Sequence, residues 1–217
     1  MCHNPAMATS ALGVSKTALA QTESSVTLPE LRQADTLLDI VERSMHASRS
    51  EWLFLRELRV GTARRNGNVQ RLDGFALNSL PHTAMKRVCY EVKISRADFL
   101  AELKNPIKRR IGMRYSNEFY FVTPDGMVDV GEIPAECGLV EAGFATPGDW
   151  KRLIGQHAGF FKFDPDTRHY CLVRVPAPWR DTPGPTWQLV AAMLRHQRRE
   201  MEAKPSEPPP QQRLPFD

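Results

Sequence analysis

The sequence predicts a mixed α/β fold of the α+β kind, a central mixed β-sheet flanked by helices. Strand-like apolar runs alternate with helix-like periodicity through the middle of the chain, and three strand-like segments fall between residues 52 and 94. At 217 residues the chain can bury one core of ordinary size. We divide it into a flexible leader (1–27), one domain (28–203) and a disordered Pro-rich tail (204–217).

From Leu28 to about Ala47 the apolar residues Leu31, Ala34, Leu37, Leu38, Ile40 and Val41 recur at near-helical spacing. Trp52 to Leu55 then lead into ELRVGT as a first strand, with Glu57, Arg59 and Gly61 on one face. Asn66-Gly67 is a hairpin signal, VQRLDGFAL reads as the second strand and RVCYEVKI as the third. Pro81 keeps the segment between them out of regular pairing. A turn centred near His82 sets Asp73 opposite Glu91, with Lys93 on the Glu91 side and Tyr90, Val92 and Ile94 pointing into the core.

Ser95 to Asp98 is a capping pattern, which assigns Asp98 to the helix start and Phe99, Leu100 and Leu103 to the core. Asn105 as N-cap and Pro106 at the first helical position open another helix, with Ile107, Ile111 and Tyr115 on one stripe and Arg110 and Arg114 on another. NEFYFVTPDG and GLVEAG read as strands and RHYCLVRV as an edge strand. Thr186 caps a last helix that turns Trp187, Val190, Ala191 and Leu194 inward, its end RHQRRE exposed.

No stretch approaches the roughly 18 apolar residues of a membrane span, and the N-terminus lacks a signal pattern, so a cytoplasmic protein without membrane contact is expected. Cys2, Cys89, Cys137 and Cys171 are too scattered for a structural zinc site, and no histidine is assigned a role. Net charge is +4, but residues 51–115 hold 14 Lys and Arg against 6 Asp and Glu, leaving 15 against 19 elsewhere. That asymmetry suggests a polyanion, although charge runs are more often a solvated face.

Two carboxylates converging beside an ammonium outline a metal-and-water site. Mg²⁺, with Mn²⁺ as a substitute, takes one or two carboxylates and keeps several waters. Asp73 and Glu91 supply these, the Val92 carbonyl adds an oxygen, and Lys93 orients or polarises the attacking water. Taken singly, a Glu-x-Lys on a strand is most often a surface ion pair and an Asp-Gly a turn. Their joint placement on one hairpin favours the site.

Asp73, a spacer and Glu91-Val92-Lys93 resemble the Asp…Glu-x-Lys core of the PD-(D/E)XK nuclease superfamily, with Leu72 in place of that name's Pro. More specifically, ELRVGT, RLDGFAL, YEVKISRADFLAELKNPIKR, FYFVTPDG and EIPAECGLVEA are similar to segments of small bacterial and phage members, some classed as mitomycin-C-resistance DNA repair proteins. The resemblance implies a restriction-endonuclease-like sheet and a Mg²⁺-dependent deoxyribonuclease with Asp73, Glu91 and Lys93 as its active-site set. Such sites are often completed by an acidic residue upstream of the Asp; Glu57 is the candidate and Glu51 the reserve. DNA-backbone contacts are assigned to Arg96, Lys104, Lys108, Arg109, Arg110 and Arg114. Gln211, Leu214 and Phe216 fit a Q-x-x-L-x-F peptide of the kind that docks on the bacterial DNA sliding clamp. The alternatives are a non-catalytic DNA-binding adaptor recruited to the replication machinery through this tail, and a nuclease acting on RNA.

Overall fold

A computed structural model describes residues 34–61, 69–146, 148–156 and 159–203. The leader, the first helix before Ala34, the Asn66-Gly67 turn and the tail with Gln211, Leu214 and Phe216 lie outside these. The helix α1 (Ala34–Met45) buries Leu37, Leu38, Ile40 and Val41, the stripe its periodicity predicts. The chain then forms β1 (Trp52–Val60), β2 (Gln70–Asn78) and β3 (Arg87–Val92), each antiparallel to the one before. A 3₁₀ turn from Pro81 to Thr83 closes the β2–β3 hairpin, as Pro81 requires.

Two helices, α2 (Arg96–Lys104) and α3 (Ile107–Tyr115), carry the chain over to β4 (Glu118–Pro124), which runs parallel to β3. After β5 (Gly138–Phe144) come α4 (Trp150–Gln156), β6 (Phe161–Phe163), β7 (His169–Val175) and α5 (Trp187–Ala203). The seven strands lie in the order β1-β2-β3-β4-β5-β7-β6, with β3–β4 and β4–β5 parallel and the other pairs antiparallel. This is the mixed, helix-flanked sheet that the sequence predicts. On one face α1 packs against Tyr90, Val92, Val122 and Val140. On the other, Leu55, Leu58, Phe75, Cys89 and Phe121 pack with Phe99 of α2 and Leu189 of α5.

Several expectations are corrected. RHYCLVRV is not an edge strand, because β7 pairs with both β5 and β6 and the edges are β1 and β6. The third helix begins one residue late: Asn105 ends α2, and Pro106 is the N-cap of α3 without a side-chain cap. That helix turns Arg109 and Gly112, not Ile107, toward the protein, because it lies close on the sheet. A Cβ on Gly112 would stand 2.7 Å from Phe119 Cε2 and 2.9 Å from Cys89 Sγ, so the smallest residue takes the contact. In α2 the exposed Leu100 gives its place inside to Glu102. Thr186 does cap α5, its Oγ1 accepting from the Leu189 N–H at 3.3 Å. The buried stripe is nevertheless Leu189, Ala192 and His196, with Trp187 87% exposed and Leu194 61%. Ile94 is also exposed, since β3 ends at Val92.

Candidate active site

The β1–β2 register pairs Arg56 with Gly74 and Leu58 with Leu72, and the β2–β3 register pairs Gly74 with Tyr90. Glu57, Asp73 and Glu91 therefore fall in one row across three neighbouring strands. The ordinary two-residue alternation slips at this row. Leu55 and Leu58, three apart, enter the same core cluster, as do Leu72 and Phe75. Glu57 takes φ +50°, a left-handed conformation that a side-chain-bearing residue adopts at a cost of about 1–3 kcal/mol. Local strain of this kind gathers at functional sites.

The slip frees the Asp73 side chain from its usual place on the pleat. The β2–β3 ladder stops at Gly74–Tyr90, and Asp73 Oδ2 accepts the next N–H, that of Val92, at 3.0 Å. In an extended strand the N–H and C=O of one residue point toward the same neighbouring strand, so the Val92 carbonyl faces this break as well. Glu91 and Lys93 are buried, at 4% and 2% exposure, and Lys93 Nζ lies 2.8 Å from Glu91 Oε1. The ammonium also stands 3.6 Å from Asp98 Oδ2 and 3.6 Å from Glu102 Oε2.

Burial, reinforced by the charge of Asp73, pushes the Glu91 carboxyl up to about 7 against the pull of Lys93. Burial alone would lower Lys93, but Glu91, Asp98 and Glu102 outweigh it and hold the ammonium above its ordinary value. The cleft thus carries more negative charge than one lysine neutralises. It encloses about 210 Å³, and Glu57, Asp73, Glu91, Lys93 and Asp98 line it together with Arg71.

Among the described residues, no three Asp, Glu, His or Cys side chains are gathered tightly enough to hold a metal ion by themselves. The donors that Asp73, Glu91 and the Val92 carbonyl bring to the cleft are all oxygens. Two hard carboxylates with surplus negative charge fit Mg²⁺ or Mn²⁺, which draw remaining ligands from water. A more enclosed apolar cavity of about 260 Å³ lies between α5 and the sheet, lined by residues such as Leu55, Phe75 and Met193, and among the described residues no carboxylate lines it. The acidic cleft is the chemically equipped one.

The predicted site residues divide. Asp73, Glu91, Val92, Lys93 and Glu57 come together, whereas Glu51 precedes β1 at its far end, about 20 Å along the strand from Glu57. Arg96, assigned to the DNA backbone, is engaged by a bidentate ion pair with Glu132, both contacts 2.6 Å. Arg109 is buried against Glu136 at 3.3 Å, which withdraws it from solvent and from any DNA backbone. Lys104, Arg110 and Arg114 are exposed; the side chain of Lys108 lies outside the description.

Asp98 was assigned to capping, but it is its backbone N–H that donates to Ser95 Oγ, at 3.2 Å, while its carboxylate faces Lys93. Sequence reasoning missed Glu102. Its signal was available: Asp98 and Glu102 are four residues apart, which places both on one face of α2.

No family model matches the sequence, and no curated protein matches it. Among the described residues, no helix is long and apolar enough to cross a membrane. Among solved structures, the chain is similar to a protein of unknown function from Silicibacter pomeroyi, at 16% identity and a TM-score of 0.46, over 76% of this chain and 84% of that one.

Proposed function

We propose that this protein is a Mg²⁺-dependent DNA nuclease that hydrolyses phosphodiester bonds in DNA repair, replication or phage-related DNA processing, and that it is a member of the PD-(D/E)XK superfamily it resembles. The observation that carries this reading is the row of Glu57, Asp73 and Glu91 across three adjacent strands with Lys93 buried beside it. Asp73, Glu91 and the Val92 carbonyl would hold the cation, which when bound would neutralise phosphate charge and make water a better nucleophile at neutral pH.

The chain's own groups do the rest. Asp73 is fixed by the Val92 N–H, so its carboxylate needs no reorganisation when substrate arrives. Lys93, kept protonated by its carboxylate neighbours, donates hydrogen bonds to the attacking water or the phosphoryl oxygen. Glu102 and Asp98, each 3.6 Å from the ammonium, hold it independently of Glu91. Glu57 adds negative charge at the cleft's outer rim, where it pairs with Arg71 at 3.0 Å.

The test is cleavage of supercoiled, linear duplex, single-stranded and branched DNA by the full-length protein with Mg²⁺, Mn²⁺ or EDTA, beside Glu91→Gln. Metal-dependent cutting that disappears in the variant supports the nuclease. Cutting that persists in Glu91→Gln overturns the site assignment, and salt-sensitive DNA binding without turnover transfers the protein to the adaptor reading. The tail peptide with Gln211, Leu214 and Phe216 is proposed as a sliding-clamp ligand. If a Leu214→Ala/Phe216→Ala double variant co-purifies with the clamp as the parent does, that role is withdrawn.

A further inference from the structure

We infer that the groove between β1 and the C-terminal half of α5 binds the phosphodiester backbone of a DNA strand and leads it into the acidic cleft; this rests on the nuclease reading above. The groove encloses about 340 Å³ and is lined by Arg56, Glu57, Arg59, His196, Arg199 and Glu200. Glu57 also lines the acidic cleft, so the two depressions meet at that residue.

The charges of the groove are unevenly satisfied. Arg56 is locked to α1, 2.5 Å from Asp39 and 2.5 Å from Glu42, and forms wall. Both acidic residues are taken: Glu57 pairs with Arg71 at 3.0 Å, and Glu200 lies 3.1 Å from His196. Arg59 and Arg199 are exposed and have no carboxylate partner among the described residues. Moreover, Arg59 sits directly opposite Arg71 in the β1–β2 register. Like charges facing each other across an antiparallel pair are destabilising, and here the Glu57 carboxylate is given to Arg71.

Arg59 is only two residues from Glu57, about 7 Å along the strand, and lines the groove beside it. Arg199 approaches from the helical wall. Cations on both walls of an open groove that shares Glu57 with the carboxylate cleft suit a chain of repeating phosphates better than a single small anion. The same role on the α2–α3 side is weakened, because Arg96 is engaged by Glu132 and Arg109 is buried.

The experiment measures binding of a fluorescein-labelled 30-nucleotide single-stranded DNA to the full-length protein in EDTA, from 50 to 300 mM KCl, by anisotropy. Arg59→Ala/Arg199→Ala should lower affinity uniformly across sequences and reduce the slope of log K against log salt by about 1.4, the loss of two phosphate contacts. Arg59→Lys/Arg199→Lys, which keeps the charges, should recover the slope and so exclude misfolding as the cause. Parental affinity and slope in the Ala double variant overturn the proposal. So does a loss that appears instead in Lys104→Ala/Arg110→Ala, or tighter binding to RNA of the same sequence with the same two-arginine dependence.

Cleavage assays on the same variants separate this proposal from its premise. Metal-dependent cutting that survives undiminished in the Ala double variant removes the groove and leaves the nuclease. Arginine-dependent binding by a protein that never cuts leaves the groove and removes the nuclease.

Discussion

Glu91 and Glu141 are both buried carboxylates on inner strands of one sheet, and each has a cation beside it. Glu141, 2% exposed, lies 3.4 Å from Arg174 Nε and accepts the Gly126 N–H at 3.2 Å. Burial raises its carboxyl above the ordinary range while Arg174 pulls it down. Glu91 has the same ingredients with two differences: another carboxylate, Asp73, lines the same cleft, and the strand pairing stops there. Its neighbourhood opens into a cleft, whereas Glu141 is closed in by the Gly126 turn and by β7. A buried charge alone is therefore structural. Two carboxylates at a break in backbone pairing are what set the Glu91 cleft apart.

The largest effect should separate the two residues by activity. Asp73→Asn and Glu91→Gln are each expected to reduce metal-dependent cleavage by about a thousandfold or more, comparable to removing a key electrostatic group from other active sites. Glu141→Gln should leave the rate within about threefold. Equal losses from Glu91→Gln and Glu141→Gln would erase the distinction. Stability should divide them in the opposite sense: Glu141→Ala strands Arg174 in a largely buried position and should cost about 3 kcal/mol in denaturant unfolding. Glu91→Ala should cost less, because Lys93 keeps Asp98 and Glu102.

The pH dependence sharpens the comparison further. In the fold the Glu91 carboxyl sits at about 7, above its unfolded value, so its contribution is fully present below about pH 4.5 and is lost as pH rises toward 7. Relative to the parent, Glu91→Gln should therefore gain about 1–3 kcal/mol in stability between pH 4.5 and 8 without metal. Mg²⁺ should stabilise the parent more at pH 8 than at pH 6, because the carboxylate must lose its proton to bind. A flat difference across this range would place Glu91 among ordinary carboxylates. The smallest effect concerns the strained row: Glu57→Gly relieves the positive φ and should stabilise the protein by about 1 kcal/mol, less what the exposed Arg71 pair contributes. No gain in thermal unfolding would mean that Glu57 carries no strain.

The hairpin was legible because strand alternation and Pro81 are local signals, and the turn centre near His82 sets the register that faces Asp73 with Glu91. Helix faces were less legible. In α3 and α5 the apolar stripes run one way and the buried residues another, since the sheet's close approach selects Gly112 and Ala192 while Ile107, Trp187 and Leu194 stay outside. Glu102 looked like a surface residue of a charged helix. Only the placement of α2 over Lys93 turns it inward.

The amino-acid sequence by itself determined the kinds of element from α1 to β5, the order of strands β1 to β3 and the presence of Asp73, Glu91 and Lys93 on one hairpin, because each follows from periods of two or 3.6 residues and from turn chemistry; α4 and β6, in the stretch 142–183, were not legible in it. The tertiary structure alone decided the slip at Glu57, the additional carboxylates around Lys93, and which arginines remain available, with Arg59 and Arg199 left without carboxylate partners among the described residues while Arg96 and Arg109 are consumed. Those outcomes depend on which distant surfaces meet, and the free energy of a charge is set by the neighbours that folding brings to it rather than by its neighbours in the chain.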